Sequence, residues 1–349
     1  MRDLLREYDR LVAAGRPFGR AVVTSVWGSA PRPEGATMLA TRDGEMAGSV
    51  SGGCVEAATA AEIGAAVERG TPRLLTFGVS DADAWAVGLA CGGTIKVYVE
   101  PSVRPDLVEA ARGPGGVVVA TVVEGPELGR WGRVLDDGSV EGDLGPTIPA
   151  GMVREAALDS LRRESSRTLT LETPAGPASV FLEVFPRQPR LLIFGGVHIA
   201  VALVPLARML GYRTIVADGR QSFLTRERFP DADELILAWP EEAFERIGLD
   251  RTCYVCILSH DPKFDEPALR AALKSPVRYI GAIGSKKTQA ARRERLRAEG
   301  FSPEEIARIR GPIGLDLGGR QPAETALAIL AEMTAERYGG SGAARQRAS

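Results

Sequence analysis

Two cysteines in the first half of the sequence stand beside glycine pairs, in Ser51-Gly52-Gly53-Cys54-Val55-Glu56 and in Leu89-Ala90-Cys91-Gly92-Gly93-Thr94. Neighbouring glycines give a bulky ligand close access to the backbone. Cys54 also precedes a run of helix formers, and a helix N-terminus lowers a thiol's pKa and favours the thiolate, the form that binds soft metals or attacks sulfur. Either residue equally reads as a small buried hydrophobe. Cys253 and Cys256 lie in Cys-Tyr-Val-Cys-Ile-Leu-Ser, a buried-strand pattern that turns residues three apart to opposite faces, and they read as core.

The second half carries phosphate-type chemistry. Phe194-Gly195-Gly196-Val197-His198 stands where a dinucleotide-binding fold places its glycine turn between the first strand and the first helix. Asp218 follows 23 positions after Gly195, near the spacing of a ribose-binding carboxylate. Val197 replaces the middle glycine of G-x-G-x-x-G/A, whose missing side chain lets a pyrophosphate reach the backbone. His198 reads either as a polar junction residue or as a donor to a bound anion or pterin. The other histidine, His260, follows a strand in Ser259-His260-Asp261-Pro262-Lys263. No third nitrogen ligand or paired cysteine stands at zinc spacing. Gly284-Ser285-Lys286-Lys287 opens an Arg-rich helix, so amides, a hydroxyl and two ammonium groups gather where phosphate is attracted, or else form a solvated basic face. The segment lacks G-x-x-x-x-G-K-[ST] and is no P-loop.

The elements that position these groups change character along the chain. Helical spacing of Leu4, Leu5, Tyr8, Leu11 and Val12 predicts an opening helix, and residues 20–26 and 36–41 predict strands followed by an Asp43-Gly44 hairpin. A helix ending at Gly70 and strands over 73–77 and 94–99 come next. Further strands around one helix near 152–163 fill residues 116–185, and Pro186-Arg187-Gln188-Pro189 breaks the pattern. Beyond it, strand patterns at 190–194, 214–217, 234–238, 254–259 and 278–283 alternate with helical sequence, including 200–210 and 288–299. Alternation of this kind means a parallel sheet. The expected fold is therefore α/β: an N-terminal α+β domain (1–187), a C-terminal Rossmann-like doubly wound parallel sheet (188–337), and a disordered tail (338–349).

Composition bounds the partners. The chain has 349 residues, 43 Lys plus Arg against 45 Asp plus Glu, a formal charge of -2 and 6% aromatics, which leaves no basic excess for nucleic acid. Four cysteines make no disulfide scaffold. The apolar stretch 191–210 contains Gly-Gly, His198, Pro205 and Arg208 and reads as no membrane span. The amphipathic N-terminus has no signal-peptide core, so a cytoplasmic location is expected.

Taken together, Trp27-Gly28-Ser29-Ala30-Pro31-Arg32-Pro33-Glu34-Gly35, Gly48-Ser49-Val50-Ser51-Gly52-Gly53-Cys54-Val55-Glu56 and Gly88-Leu89-Ala90-Cys91-Gly92-Gly93 resemble the N-terminal domain of the XdhC/CoxI family of xanthine dehydrogenase accessory proteins. The His198 turn, Val216-Ala217-Asp218-Gly219-Arg220, Ser259-His260-Asp261-Pro262-Lys263-Phe264-Asp265, Tyr279 to Lys287 and Pro312-Ile313-Gly314-Leu315-Asp316 continue the likeness. The resemblance implies a chaperone that binds the molybdenum cofactor (molybdopterin or its nucleotide form), presents it to a cysteine desulfurase for sulfuration, and inserts it into an apo molybdenum hydroxylase of the xanthine or carbon monoxide dehydrogenase type. On that basis Gly195, Gly196, His198, Asp218, His260, Gly284, Ser285 and Lys286 fall at the phosphate or nucleotide end. Arg32, Gly52, Gly53, Cys54, Cys91 and Gly92 fall at the dithiolene, with Cys54 and Cys91 toward molybdenum. Such scaffolds often pair as homodimers. Two other readings stand beside it: an NAD(P)-dependent oxidoreductase using the Rossmann-like domain, and a thiol-based sulfur or redox carrier.

Overall fold

A computed structural model describes residues 1–29, 31–78 and 93–343. The expectations for Cys91, for Gly92 and for residues 344–349 of the tail lie outside the described residues. The chain divides into two compact units, Met1–Arg187 and Gln188–Ser349.

In the first unit the opening helix α1 (Leu5–Ala13) precedes β1 (Phe18–Trp27), β2 (Thr37–Thr41), β3 (Met46–Gly48), α2 (Glu56–Arg69), β4 (Arg73–Phe77) and β5 (Thr94–Glu100). The strands form an antiparallel sheet in the order β3-β2-β1-β5-β4. Helix α2 lays Ile63 and Ala66 onto Val23, Met38 and Val97, an apolar face that covers one side of the sheet. The chain continues through α3 (Pro105–Arg112), β6 (Val117–Glu124), β7 (Trp131–Leu135), β8 (Val140–Asp143), α4 (Ala150–Arg163), β9 (Arg167–Thr173) and β10 (Gly176–Phe185). These strands make a second antiparallel sheet, β8-β7-β6-β10-β9, with Val153 and Ala157 of α4 on Val122, Val180 and Leu182.

A buried ion triad ties the two sheets of this unit. Arg20 of β1 donates to Glu100 at the end of β5 (2.7 Å) and to Glu183 of β10 (2.6 Å). The three residues are 2%, 4% and 5% exposed. Burial works against the guanidinium's charge, and the two carboxylates more than offset it, so Arg20 is held well above the ordinary arginine range.

The second unit runs β11 (Arg190–Phe194), α5 (His198–Met209), β12 (Arg213–Asp218), β13 (Glu234–Leu237), α6 (Pro240–Ile247), β14 (Cys253–Ile257), α7 (Pro262–Leu273), β15 (Tyr279–Ala282), α8 (Lys286–Ala298), α9 (Pro303–Ala307), β16 (Ile309–Arg310) and α10 (Pro322–Tyr338). All strand pairs are parallel, in the order β13-β12-β11-β14-β15-β16. This is the Rossmann order, with its reversal between β11 and β14. Both faces are covered. Cys253, Val255 and Ile257 point to the layer of α6, α7 and α8, while Tyr254 and Cys256 point to that of α5 and α10. Cys253 and Cys256 are therefore core residues on opposite faces. No helix among the described residues is long and apolar enough to cross a membrane.

Candidate functional site

In the first unit the glycine and thiol motif is a loop organised by a carboxylate. Glu56, the first residue of α2, accepts from the hydroxyls of Ser49 and Ser51 (both 2.6 Å) and from the N–H groups of Val50 (3.2 Å), Ser51 (2.9 Å) and Gly53 (2.7 Å). Burial disfavours its charge, but the serine hydroxyls and the backbone N–H groups bring its pKa down to about 2. The loop is thereby folded around an anion of its own chain, and Cys54 is left exposed at its outer edge, two residues before the helix.

Two further motifs meet this region. A methyl group added at Gly52 would lie 3.6 Å from the ring of Pro31, which places the loop against the Pro31-Arg32-Pro33 segment. A methyl group at Gly93 would lie 2.4 Å from the Ser29 carbonyl, so the chain re-enters β5 beside the end of β1. Arg32 is half-buried, and its Nε is buried with no hydrogen-bond partner among the described residues. It lines a cleft of about 410 Å³ together with Glu34, Thr37, Ser166 and Glu183, and Cys54 does not belong to that lining.

In the second unit the expected residues gather at the carboxyl edge of the parallel sheet. Gly195 has φ of +110°, and a Cβ there would sit 2.8 Å from the amide nitrogen of Ser259, so the exits of β11 and β14 touch in a way only glycine allows. A Cβ at Gly196 would sit 2.3 Å from the Phe223 carbonyl. The Gly196 N–H donates to Asp218 (2.8 Å), and its carbonyl accepts from Arg228 (2.8 Å).

Asp218 departs from its expected use. It is 1% exposed, and beyond Gly196 it accepts from the Arg220 N–H, Nε and Nη2, each at 2.9 Å. Burial raises its pKa and the bonds from Arg220 and Gly196 lower it further, so it stays ionised below the ordinary aspartate range. Its oxygens close the turn, and a ribose would have to displace Arg220 to reach them. The Gly196 amide is likewise spent inside the chain. With the Gly196 amide spent and Val197 half-buried against the α5 layer, the turn lacks the bare glycine backbone of a diphosphate-binding turn.

His198 is the first residue of α5 and is exposed; His260 is exposed after β14. Ser285 caps α8 by accepting from the Thr288 N–H (3.1 Å), and Lys286 and Lys287 are exposed in the helix's first turn.

Beneath these loops lies a buried network without a signal of its own in the sequence pattern. Asp265 accepts from the Ser259 hydroxyl and from Arg292 (2.9 Å). Arg292 also bonds Gln289 (2.9 Å), and Gln289 donates to the carbonyls of Ala282 (2.9 Å) and Ile283 (3.2 Å). Burial pushes the Asp265 carboxyl up despite Ser259 and Arg292. The network pins the exits of β14 and β15 to α7 and α8. Among the described residues no group of three or more His, Cys, Asp or Glu side chains is placed to hold a metal ion.

Fold and sites thus define a two-unit α/β protein in which an α+β unit with an exposed, carboxylate-ordered thiol loop precedes a Rossmann-type unit. Residues 11–78 match the model of the XdhC and CoxI family, and residues 191–333 match that of the XdhC Rossmann domain. The chain belongs to this family. It is 28% identical over 323 residues to a probable xanthine dehydrogenase subunit of Bacillus subtilis (strain 168), covering 91% of this chain and 92% of that protein. It is 28% identical over 339 residues to the molybdenum cofactor insertion chaperone PaoD of Escherichia coli (strain K12), covering 96% and 88%. The crystal structure of a xanthine dehydrogenase from Bacillus halodurans matches with a TM-score of 0.72 at 27% identity, over 99% of this chain and 97% of the other.

Proposed function

We propose that the protein serves the maturation of a molybdenum hydroxylase: it holds the molybdenum cofactor, presents it to a cysteine desulfurase that exchanges an oxo for a sulfido ligand, and delivers it to the apoenzyme. The observation that carries this reading is the near full-length similarity to a relative named as a molybdenum cofactor insertion chaperone. The residues suit such cargo. An exposed thiol on an ordered glycine loop offers a soft donor, and the buried Arg32 Nε, lacking a partner among the described residues, offers a hydrogen bond to an anionic ligand. Cys54, Cys91 and Arg32 are assigned to the dithiolene and metal. His198, His260, Ser285 and Lys286 are assigned to phosphate, where α8 presents its N-terminal turn and two lysines. Asp218 and Gly196 serve as the frame of that edge. The spent Gly196 amide and Val197 weigh against the NAD(P)-dependent oxidoreductase.

The test is cofactor retention. Protein purified without oxygen from a host that makes the molybdenum cofactor is assayed for molybdenum and oxidised pterin, with NAD titrated separately. Near-stoichiometric pterin with no NAD affinity is expected, and Cys54→Ser is expected to lower retained molybdenum at least tenfold, the loss of about 1.4 kcal/mol. Tight NAD binding with no pterin overturns the reading, and unchanged retention in Cys54→Ser and Cys91→Ser removes the thiols from it.

A further inference from the structure

We propose that Trp239 is a stacking platform for the base of a phosphate-linked nucleoside, and that the base belongs to a nucleotide-extended form of the cofactor. The second clause rests on the function proposed above; the first stands on geometry alone.

Trp239 leaves β13 through Ala238, whose N–H donates to the Asp218 carbonyl (3.3 Å), and it is followed by Pro240. A residue before proline is confined to extended backbone, and the Trp239 carbonyl accepts the first helical bond of α6 from Ala243 (2.9 Å). The backbone is thus fixed on both sides while the residue is 52% exposed. The indole packs on the buried ring of Phe264, with centroids 4.7 Å apart and planes tilted by 31°. Phe264 in turn packs against Phe194 at 6.0 Å. The Arg220 guanidinium lies 3.9 Å over Phe223 and 5.6 Å from the Phe264 ring, and its Nε and Nη2 donate to Asp218. What this ledge offers is flat, rigid and π-rich.

Its position is informative. Trp239 lies two residues past the third strand of the Rossmann order, Asp218 ends the second, and Phe264 sits in the first turn of the helix after the fourth. In this fold a nucleotide lies across the carboxyl ends of these strands, with its ribose near the end of the second. A base there extends over the Trp239 ledge, where stacking binds any base because every base has a π face. Because Asp218 is closed by its own chain, stacking and phosphate contacts carry the affinity, and the sugar hydroxyls contribute little.

The full-length protein, stripped of cofactor, is titrated calorimetrically with CMP, dCMP, GMP, AMP, NAD and pyrophosphate, in wild type, Trp239→Phe and Trp239→Ala. Nucleotides are expected to bind wild type and the Phe variant alike. Trp239→Ala should weaken them on the order of tenfold or more, with pyrophosphate unchanged in all three, and CMP and dCMP should bind equally. Release of pterin from cofactor-loaded wild type by excess CMP or GMP supports the cofactor assignment, and pterin that stays bound while nucleotide occupies the ledge overturns it. Absence of nucleotide binding in wild type, as for a protein-docking tryptophan, or equal binding in Trp239→Ala overturns the platform. Wild type that never retains pterin yet binds nucleotides through Trp239 overturns the cargo function and leaves the platform standing.

Discussion

At the scale of single residues, the thiol loop depends on Glu56 more than on the cysteine it displays. Replacing Glu56 by Gln turns one of its two acceptors into a donor that faces donors, Gly53 N–H or a serine hydroxyl. The expected cost is about 1–3 kcal/mol, with faster amide exchange at Ser51 and Gly53 measured by NMR. The carboxyl's folded pKa of about 2 lies below its ordinary value of 4.5. Its contribution is therefore complete above about pH 4.5 and lost as the pH falls toward 2; a wild-type loop whose amide protection factors, corrected for intrinsic exchange, show no acid-dependent fall over that window would contradict this. The motif containing Glu56 was legible in the sequence, but its role was not, because five converging bonds leave no periodic trace. Arg292 was hidden in the same way. It sits in an Arg-rich run that reads as a solvated face, yet Gln289, Arg292 and Leu296 form the buried stripe of α8.

At the scale of elements, the contact between the exits of β11 and β14 is decided by a side chain that is missing. Gly195→Ala adds a Cβ against the Ser259 amide at a φ of +110°. It should destabilise the second unit by at least about 1–3 kcal/mol, read as a lower urea midpoint, and an unchanged midpoint would show that the turn can relax. Most elements were legible from local signals. The alternating and continuous apolar runs gave the strands, Gly70 ended α2, and the parallel sheet followed from alternation. Helix starts came out late: α5 begins at His198 and α8 at Lys286, in both cases two residues before the sequence pattern suggests, because polar first turns carry no apolar period. Strand β8, Val-Glu-Gly-Asp, was illegible, since all four residues are exposed and only pairing with β7 makes it a strand.

At the scale of the molecule, each unit has its own cores, and the first is held by charge as well as by apolar contact. Arg20→Met leaves Glu183 without its bonded guanidinium and Glu100 with only the longer pair to Arg104 (3.5 Å). This should cost about 3–5 kcal/mol in chemical unfolding, whereas Arg20→Met combined with Glu100→Leu and Glu183→Leu should recover most of it; a single variant as stable as wild type would mean the carboxylates are hydrated. The triad joins residues that lie far apart in the chain, Arg20 to Glu100 across 80 positions and Arg20 to Glu183 across 163. That separation sets a timetable for biosynthesis. At about 5–20 residues per second, a ribosome delivers Glu183 roughly 8–30 s after Arg20. Until then Arg20 has Glu100 but not the Glu183 carboxylate for its Nη2, so the join between the sheets closes only once β10 has emerged. The strands of the second unit, whose partners lie no more than 63 positions apart, can begin to assemble immediately afterwards.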